Sequence, residues 1–197
     1  MRSGDRVIDR EESTIGPRRG APDRAFPVSR TRSLALKLPK RHDDGVESLQ
    51  ERYAPQNKCF GCGPANERGL RIRSFVEGDD LVCEWRPQPH HQAFDGILNG
   101  GICGALLDCH SNWAAAHHLQ QKSGAASPPC TVTADFHVFL KRPTPMDVAL
   151  KLRARIVESS GDRATVEATL EANGKTTATC RGTFVAVSEG HPAFHRW

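Results

Sequence analysis

Residues 96–108 read GILNGGICGALLD, and the residue types in this stretch decide the fold. Asn99 suits the N-terminal cap of a helix, because its side-chain oxygen accepts an unpaired backbone N–H. Behind it, apolar residues at three-to-four spacing predict a helix over residues 99–119 with one apolar stripe, made of Ile102, Ala105, Leu106, Cys109 and Trp113. A second face carries small and polar residues: Gly101, Gly104, Asp108, Ser111 and Asn112. We therefore expect one long helix that packs on a sheet and directs Asp108 elsewhere.

Alternating apolar residues predict antiparallel strands on both sides of this helix. Gly78-Asp79-Asp80 and Asn173-Gly174 are turn sequences that connect strands into hairpins. The predicted strands cover residues 70–76, 81–85, 132–140, 148–156, 164–170 and 176–187. A sheet with one apolar face needs a cover, and only the helix over 99–119 is long enough to provide it. The predicted fold class is α+β, with an antiparallel sheet wrapped around one central helix.

The charge distribution argues against a nucleic-acid partner. Residues 1–50 hold 11 Lys and Arg and 8 Asp and Glu, so 3 of the net +4 charges lie there and +1 remains for the rest. Binding to phosphate backbones depends on Lys and Arg clustered on one face. We interpret residues 1–52 as a disordered basic extension, residues 53–188 as the folded domain and residues 189–197 as a tail.

The sequence also indicates where the protein works. No run of about 18 apolar residues predicts a membrane span, and the first residues lack the apolar stretch of a secretory signal. The seven cysteines are odd in number and dispersed, which is typical of reduced thiols rather than a disulfide framework. We expect a cytoplasmic protein without a membrane partner.

Three segments resemble motifs of one family. Residues 96–108 resemble the G-x-x-H-G-G-x-x-x-x-L-L-D signature of hotdog-fold acyl-CoA thioesterases of the phenylacetic-acid-degradation type. Cys59-Phe60-Gly61-Cys62-Gly63, followed by Gly69-Leu70, resembles their C-F-x-C-G…G-L opening, and residues 131–143 resemble their T-x-x-x-x-x-F-x-R-P strand. The resemblance spans residues 58–188. It implies the hotdog fold, an acyl-CoA substrate and a homodimer that in many relatives stacks into a homotetramer.

The resemblance also implies a hydrolase mechanism without a cofactor or metal. The thioester carbonyl would accept a hydrogen bond from the backbone N–H of Gly100, while Gly101 allows close approach. Asp108, contributed by the facing protomer, would attack the carbonyl or activate a water molecule, and Thr133 would position the carboxylate or the water.

Substrate binding is assigned to three more residues. Lys141 and Arg142, at a strand end, would meet the phosphates of coenzyme A, although a solvated strand end explains them equally well. Gln92 is the nearest candidate for the polar residue that some relatives aim at the thioester.

One residue departs from the signature. Asn99 stands where relatives have His, so imidazole chemistry is lost there, whereas helix capping and hydrogen bonding to a substrate remain. His90 and His91 are the nearest imidazoles, but adjacent loop histidines are expected to be solvated. Two alternatives to a thioesterase therefore stay open: a noncatalytic acyl-CoA-binding module and a hydratase-like hotdog enzyme.

Cys59 and Cys62 have the spacing of half a structural zinc site. Asp108-Cys109-His110 offers further ligand types, but no second close cysteine pair completes the usual pattern. We therefore expect no metal site, and interpret the two cysteines as small residues that pack the start of the domain against the sheet.

Overall fold

A computed structural model describes residues 45–194, and this part of the chain contains one long helix and one large sheet. Residues 1–44, most of the predicted extension, and residues 195–197 of the tail lie outside it. The elements are α1 (Leu49–Tyr53), β1 (Phe75–Glu77), β2 (Asp80–Trp85), β3 (Gln92–Phe94), β4 (Ile97–Leu98), α2 (Gly100–Ser123), β5 (Thr131–Leu140), β6 (Leu150–Ser160), β7 (Arg163–Ala172) and β8 (Lys175–Ala186).

Six of the strands form one antiparallel sheet in the order β1-β2-β6-β7-β8-β5. The short pair β3 and β4 forms a separate ladder that leads into α2. α2 packs across β5, β6, β7 and β8. Its fully buried side chains, Leu106, Leu107 and Trp113, join those of the sheet in one core with Leu150, Leu152, Val166, Leu170 and Phe184. The predicted architecture, a sheet around one central helix, is confirmed.

α2 begins where predicted and runs four residues further. Asn99 caps it, and Gly124, with a left-handed φ of 67°, ends it. The two-face interpretation is wrong for Ser111 and Asn112, which are both buried against the sheet. The reason is that α2 is covered on several sides, so polar residues also become buried and bond to their neighbours. In the described part of the chain, neither helix has the length and apolar content needed to cross a bilayer.

A bulge in β5 changes which of its residues face α2. The pairing of β5 with β8 shifts register between Thr133 and Asp135. Before the bulge, Thr131 and Thr133 both bond to α2 residues, and after it Phe136 and Val138 pack on the core. The strict alternation predicted over 132–140 is therefore wrong, because one extra residue reverses which side chains point inward.

The folded domain begins earlier than the predicted boundary at residue 53. Ser48 forms a capping box with Glu51, and α1 follows. The Leu49 N–H donates to the Ser74 carbonyl at 3.0 Å, and the Gln50 side chain bonds to both the backbone and the hydroxyl of Ser74. Residues 45–52 thus belong to the described structure. This docking also explains why residues 70–74, predicted as strand, form none: Ser74 bonds to α1 instead, and Arg71 has a φ of 53°.

A buried hydrogen-bond chain joins α1, β2 and α2 through His110. Its Nε2 lies 3.1 Å from the Leu81 carbonyl oxygen, which only accepts, so Nε2 carries the proton. Its Nδ1 then accepts from the Ser74 hydroxyl at 2.9 Å, and Ser74 Oγ accepts from Gln50 Nε2 at 2.9 Å. Burial lowers the pKa of His110 to about 4, which the Leu81 carbonyl only partly opposes, so the ring is neutral at pH 7.

An ion-pair cluster fastens β2 to β6. The Asp80 carboxylate is 5% exposed and accepts from Arg155 Nε at 2.6 Å and from Arg153 Nη1 at 2.7 Å. Arg153 also bonds to Glu77. Burial raises the pKa of Asp80, but the hydrogen bonds from Arg155 and Arg153 outweigh it and hold the pKa below the ordinary 3.8.

Replacing this carboxylate tests the cluster. Asp80→Asn removes the carboxylate that pairs with Arg155 and leaves Arg153 with Glu77 as its acidic partner, and we expect a loss of about 1–2 kcal/mol in the free energy of unfolding at pH 7. Because folding lowers the pKa of Asp80, its ion pairs stabilise the folded state fully at a pH above the ordinary pKa of 3.8. This stabilisation is lost as the pH falls through the lowered pKa and the carboxylate becomes protonated. Urea unfolding of both proteins should therefore show a gap that closes toward pH 3. Asp79→Asn, at an exposed neighbour, is the control; an equal loss there would contradict the assignment.

Candidate active site

The start of α2 presents one unused backbone donor. Asn99 Oδ1 accepts from the Gly101 N–H at 2.8 Å, and the Asn99 carbonyl accepts from Ile102 and Cys103 at 3.0 and 3.1 Å. Within residues 45–194, the Gly100 N–H has no protein acceptor. It therefore points from the positive end of the helix dipole and can bind an oxygen that carries partial negative charge.

Space at Gly100 is limited by the end of β5. A Cβ built at Gly100 would lie 2.9 Å from Leu140 Cδ1. Leu140 is 58% exposed, so its side chain can move aside. Gly100 therefore leaves room for a substrate atom where most residues would place a side chain.

Asp108 and Thr133, both predicted from sequence, are in direct contact. Thr133 Oγ1 donates to Asp108 Oδ1 at 2.8 Å, and Asp108 is partly buried. The β5 bulge follows Thr133 immediately, as is common beside active sites, where a bulge re-aims a side chain. This hydrogen bond orients the Asp108 carboxylate.

Gly100 and Asp108 are too far apart in one chain to act on the same atom. They are eight residues apart on α2, and a rise of 1.5 Å per residue separates them by about 12 Å along the axis. A single carbonyl group cannot contact both.

The remaining predicted site residues lie near the start of α2. Gln92 is exposed on β3 and pairs with Leu98, the residue before Asn99. Lys141 and Arg142 are exposed just after Leu140, and both backbone N–H groups donate to the Thr177 carbonyl, at 2.8 and 3.2 Å. These residues therefore surround the same end of α2 as Gly100, whereas Asp108 and Thr133 lie further along the helix.

His91 supports the helix start and is not solvated as predicted. Its ring is 6% exposed and stacks on Trp85, with the ring centroids 5.1 Å apart. Its Nδ1 accepts from the Gln88 N–H at 2.9 Å, and its carbonyl accepts from the Asn99 N–H at 3.0 Å. Burial lowers the pKa of His91, so the ring stays neutral near pH 7. His90, in contrast, is exposed.

A groove of about 740 Å³ borders this segment. Arg68, Arg71 and Arg86 line it together with His90 and His91. All three arginines are exposed. Sequence reasoning missed this basic surface because the arginines come from two separated segments and match no motif.

Solved structures show the same arrangement of helix and sheet. A thioesterase superfamily protein from Shewanella loihica PV-4 aligns at 27% identity and a TM-score of 0.52, over 64% of this chain and 98% of that one. The protein has the hotdog fold.

Two further structures support the assignment. A phenylacetic acid degradation-related protein from Ralstonia eutropha JMP134 shares this hotdog fold at 22% identity and a TM-score of 0.54, over 64% of this chain and 92% of that one. Zebra fish thioesterase superfamily member 2 does so at 20% identity and a TM-score of 0.51, over 62% and 90%. No family model and no curated protein matches the sequence.

The Asn99 cap of the hotdog helix can be tested by its effect on stability. Asn99→Ala removes the acceptor for the Gly101 N–H, and we expect the free energy of unfolding to fall by about 0.5–2 kcal/mol. Asn99→Ser keeps a capping oxygen and should lose less. Urea denaturation of the three proteins measures both effects. Equal stability of Asn99→Ala and the parent would show that the cap contributes nothing.

Proposed function

We propose that this hotdog protein is an acyl-CoA thioesterase of the phenylacetic-acid-degradation type, which hydrolyses a thioester to a free acid and coenzyme A. The observation that carries the proposal is the Asp108 carboxylate held by Thr133 at 2.8 Å, on the helix whose first N–H is unused. The likeness in fold to thioesterase superfamily structures supports it.

The geometry supports a two-part mechanism. The Gly100 N–H donates to the thioester oxygen, and this hydrogen bond strengthens as the oxygen gains negative charge. The Asp108 carboxylate then attacks the carbonyl carbon, or removes a proton from a water molecule that attacks it. Attack by the carboxylate breaks the C–S bond and forms an acyl-aspartyl anhydride, which water then hydrolyses to the free acid and the Asp108 carboxylate. In the other route water adds directly, and the proton that Asp108 takes passes to the departing sulfur. Both routes consume one water molecule and release coenzyme A as the thiol. The hydrogen bond from Thr133 Oγ1 keeps the Asp108 carboxylate in a fixed orientation for this step.

This mechanism requires two protomers. Since about 12 Å separates Gly100 from Asp108 along one helix, we propose that the Asp108 of a partner protomer completes each site. β5 is suited to bring the protomers together: it is the outer strand of the sheet, ten residues long, and ends in Phe139 and Leu140, 56% and 58% exposed. Pairing two such edges covers unpaired backbone groups and exposed apolar area. We propose a homodimer built this way, with a homotetramer as a further step of assembly.

Basic residues near Gly100 are proposed to bind the phosphates of coenzyme A. Lys141 and Arg142 follow β5 at that end of the helix. The arginine-lined groove adjoins His91, whose carbonyl holds the Asn99 N–H. Guanidinium groups bind phosphate oxygens by charge-assisted hydrogen bonds.

A second candidate function is a noncatalytic acyl-CoA-binding module. The observation that favours it is Asn99, whose side-chain oxygen is engaged as the helix cap and cannot supply the acid–base chemistry of an imidazole. Such a module would be stabilised by an acyl-CoA without releasing free thiol.

Thiol release from short, long and aromatic acyl-CoAs tests the function. We expect Asp108→Asn to abolish turnover, while its amide oxygen still accepts from Thr133 and keeps the fold.

We expect Gly100→Pro to reduce kcat about 100-fold or more, because proline removes the proposed donor. Proline is tolerated at the first position of a helix, and Asn99, with φ −61° and ψ 130°, has the conformation that precedes proline.

The matched control is Gly100→Ala. It places a methyl group near Leu140 but retains the N–H, so its loss of kcat should be clearly smaller. Turnover by Asp108→Asn equal to that of the parent would refute the hydrolase mechanism. Thermal stabilisation by acyl-CoA without thiol release from any substrate would identify the binding module instead.

Mixing two inactive variants tests the shared site. In a hybrid of an Asp108→Asn chain and a Gly100→Pro chain, one site combines an intact Gly100 with an intact Asp108, and the other has lost both. Random exchange makes half of the dimers hybrids, so the mixture should regain about a quarter of the parent activity. If both groups acted within one chain, mixing after mild dissociation would restore nothing. Size-exclusion chromatography shows whether dimers form, and native mass spectrometry of the mixture shows whether the chains have exchanged.

A further inference from the structure

Three cysteines from two distant segments converge at the outer side of α2. Cys59 and Cys62 lie in the loop before β1, and Cys109 lies on α2 beside Asp108. Their sulfur atoms all lie within 4.8 Å of one another, and the Sγ atoms of Cys59 and Cys109 are 3.8 Å apart. We refer to these three residues as the cysteine cluster. Sequence analysis placed Cys109 on the apolar stripe of the helix, named Asp108-Cys109-His110 as further ligand types for the Cys59/Cys62 pair, and expected no metal site.

The loop is built to hold its cysteines against the helix. The Cys59 N–H donates to Asn57 Oδ1 at 2.7 Å, and the Gly63 N–H donates to the Cys59 carbonyl at 3.0 Å, which closes a tight turn around Cys62. The Ile72 N–H donates to the Gly61 carbonyl at 3.0 Å and fixes the loop to the following segment. A side chain at position 61 would overlap Cys109 Sγ, so glycine is needed there for the sulfurs to approach.

The sulfur spacing suits a bound ion better than a disulfide. Two thiolates bound to one tetrahedral Zn²⁺ at about 2.3 Å lie about 3.8 Å apart. A disulfide needs its two sulfurs at about 2.05 Å, so the cysteine cluster would have to move to form one. All seven cysteines of the chain are free thiols in the structure.

The surroundings favour thiolates at this position. Trp113 Nε1 donates to Cys62 Sγ at 3.3 Å. A cation bound at this position would stabilise the deprotonated sulfurs.

We propose that Cys59, Cys62 and Cys109 together bind one metal ion of the Zn²⁺ type. Thiol ligands select Zn²⁺ or Cu⁺ over harder ions, and binding displaces the remaining thiol protons into the solvent. Among residues 45–194, no further His, Cys, Asp or Glu joins the cluster, and His110 points instead into the Ser74 and Leu81 hydrogen bonds. The fourth tetrahedral position is therefore open to a water molecule or a small thiol beside the partly exposed Cys59.

A metal here would fasten the loop to α2. The cluster joins residues 59 and 109 across an otherwise noncovalent contact, directly next to the residue proposed to carry the hydrolysis. The inference does not depend on that reaction, because the ligands and the spacing are independent of Asp108 chemistry.

Metal content of the full chain tests the proposal. The protein is purified in a phosphine reductant, incubated with Zn²⁺ and desalted. It should then retain one zinc ion per chain, as measured by inductively coupled plasma mass spectrometry. Titration with Co²⁺ should give a thiolate-to-cobalt charge-transfer band. Cys59→Ser, Cys62→Ser and Cys109→Ser should each lose stoichiometric zinc and weaken that band. Cys130→Ser, at a partly buried thiol outside the cluster, should bind like the parent.

A measurement on the parent chain covers the case in which a buried variant fails to fold. Zn²⁺ should protect the three cluster thiols from alkylation and leave Cys130 reactive, as read by peptide mass mapping. A parent chain with reduced thiols that binds neither Zn²⁺ nor Co²⁺ overturns the proposal. Zinc binding that survives Cys109→Ser also overturns it, because the Cys59/Cys62 pair would then be the whole site.

Discussion

The burial of α2 imposes one constraint on all the chemistry of this protein. Successive residues on a helix point about 100° apart, so four consecutive side chains of an enclosed helix meet four different surroundings. Asp108 meets Thr133 of β5, and Cys109 meets Cys59 of the preceding loop. His110 meets Ser74 and Leu81, and Ser111 meets Cys180 of β8. The proposed catalytic carboxylate, the proposed metal ligand and the core hydrogen bonds therefore point in different directions from neighbouring positions of α2.

The start of α2 and the position of Asp108 on the same helix have different electrostatic roles. At the start, backbone N–H groups are stabilised by Asn99, and the one donor left over lies at the positive end of the dipole. Two turns further along α2, the backbone N–H groups bond within the helix, and the Thr133 side chain instead orients the Asp108 carboxylate. The proposed reaction needs a group of each kind, and because about 12 Å along α2 separates them, the proposal takes one of them from a second chain.

Much of the fold was predictable because its signals are local. The strands over residues 148–156, 164–170 and 176–187, the Asn173-Gly174 turn and the Asn99 cap were predicted from residue spacing and residue type alone, and the structure confirms them. The predictions failed where one segment docks on another. Residues 70–74 form no strand because Ser74 bonds to α1. The β5 alternation reverses at a bulge between Thr133 and Asp135, which pair with Phe184 and Thr183 of β8.

The pattern of apolar residues predicted α2 and most strands of the hotdog fold, because hydrophobic periodicity is a property of neighbouring residues, and the family resemblance marked Gly100, Asp108 and Thr133 as candidates. The three-dimensional packing alone showed that Thr133 bonds to Asp108, that His91 is buried beneath the helix start and that Cys109 joins Cys59 and Cys62. The contacts of Thr133 with Asp108 and of Cys59 with Cys109 join residues 25 and 50 positions apart. The geometry of these contacts follows from how loops and strands pack around α2, so no pattern of neighbouring residues predicts it.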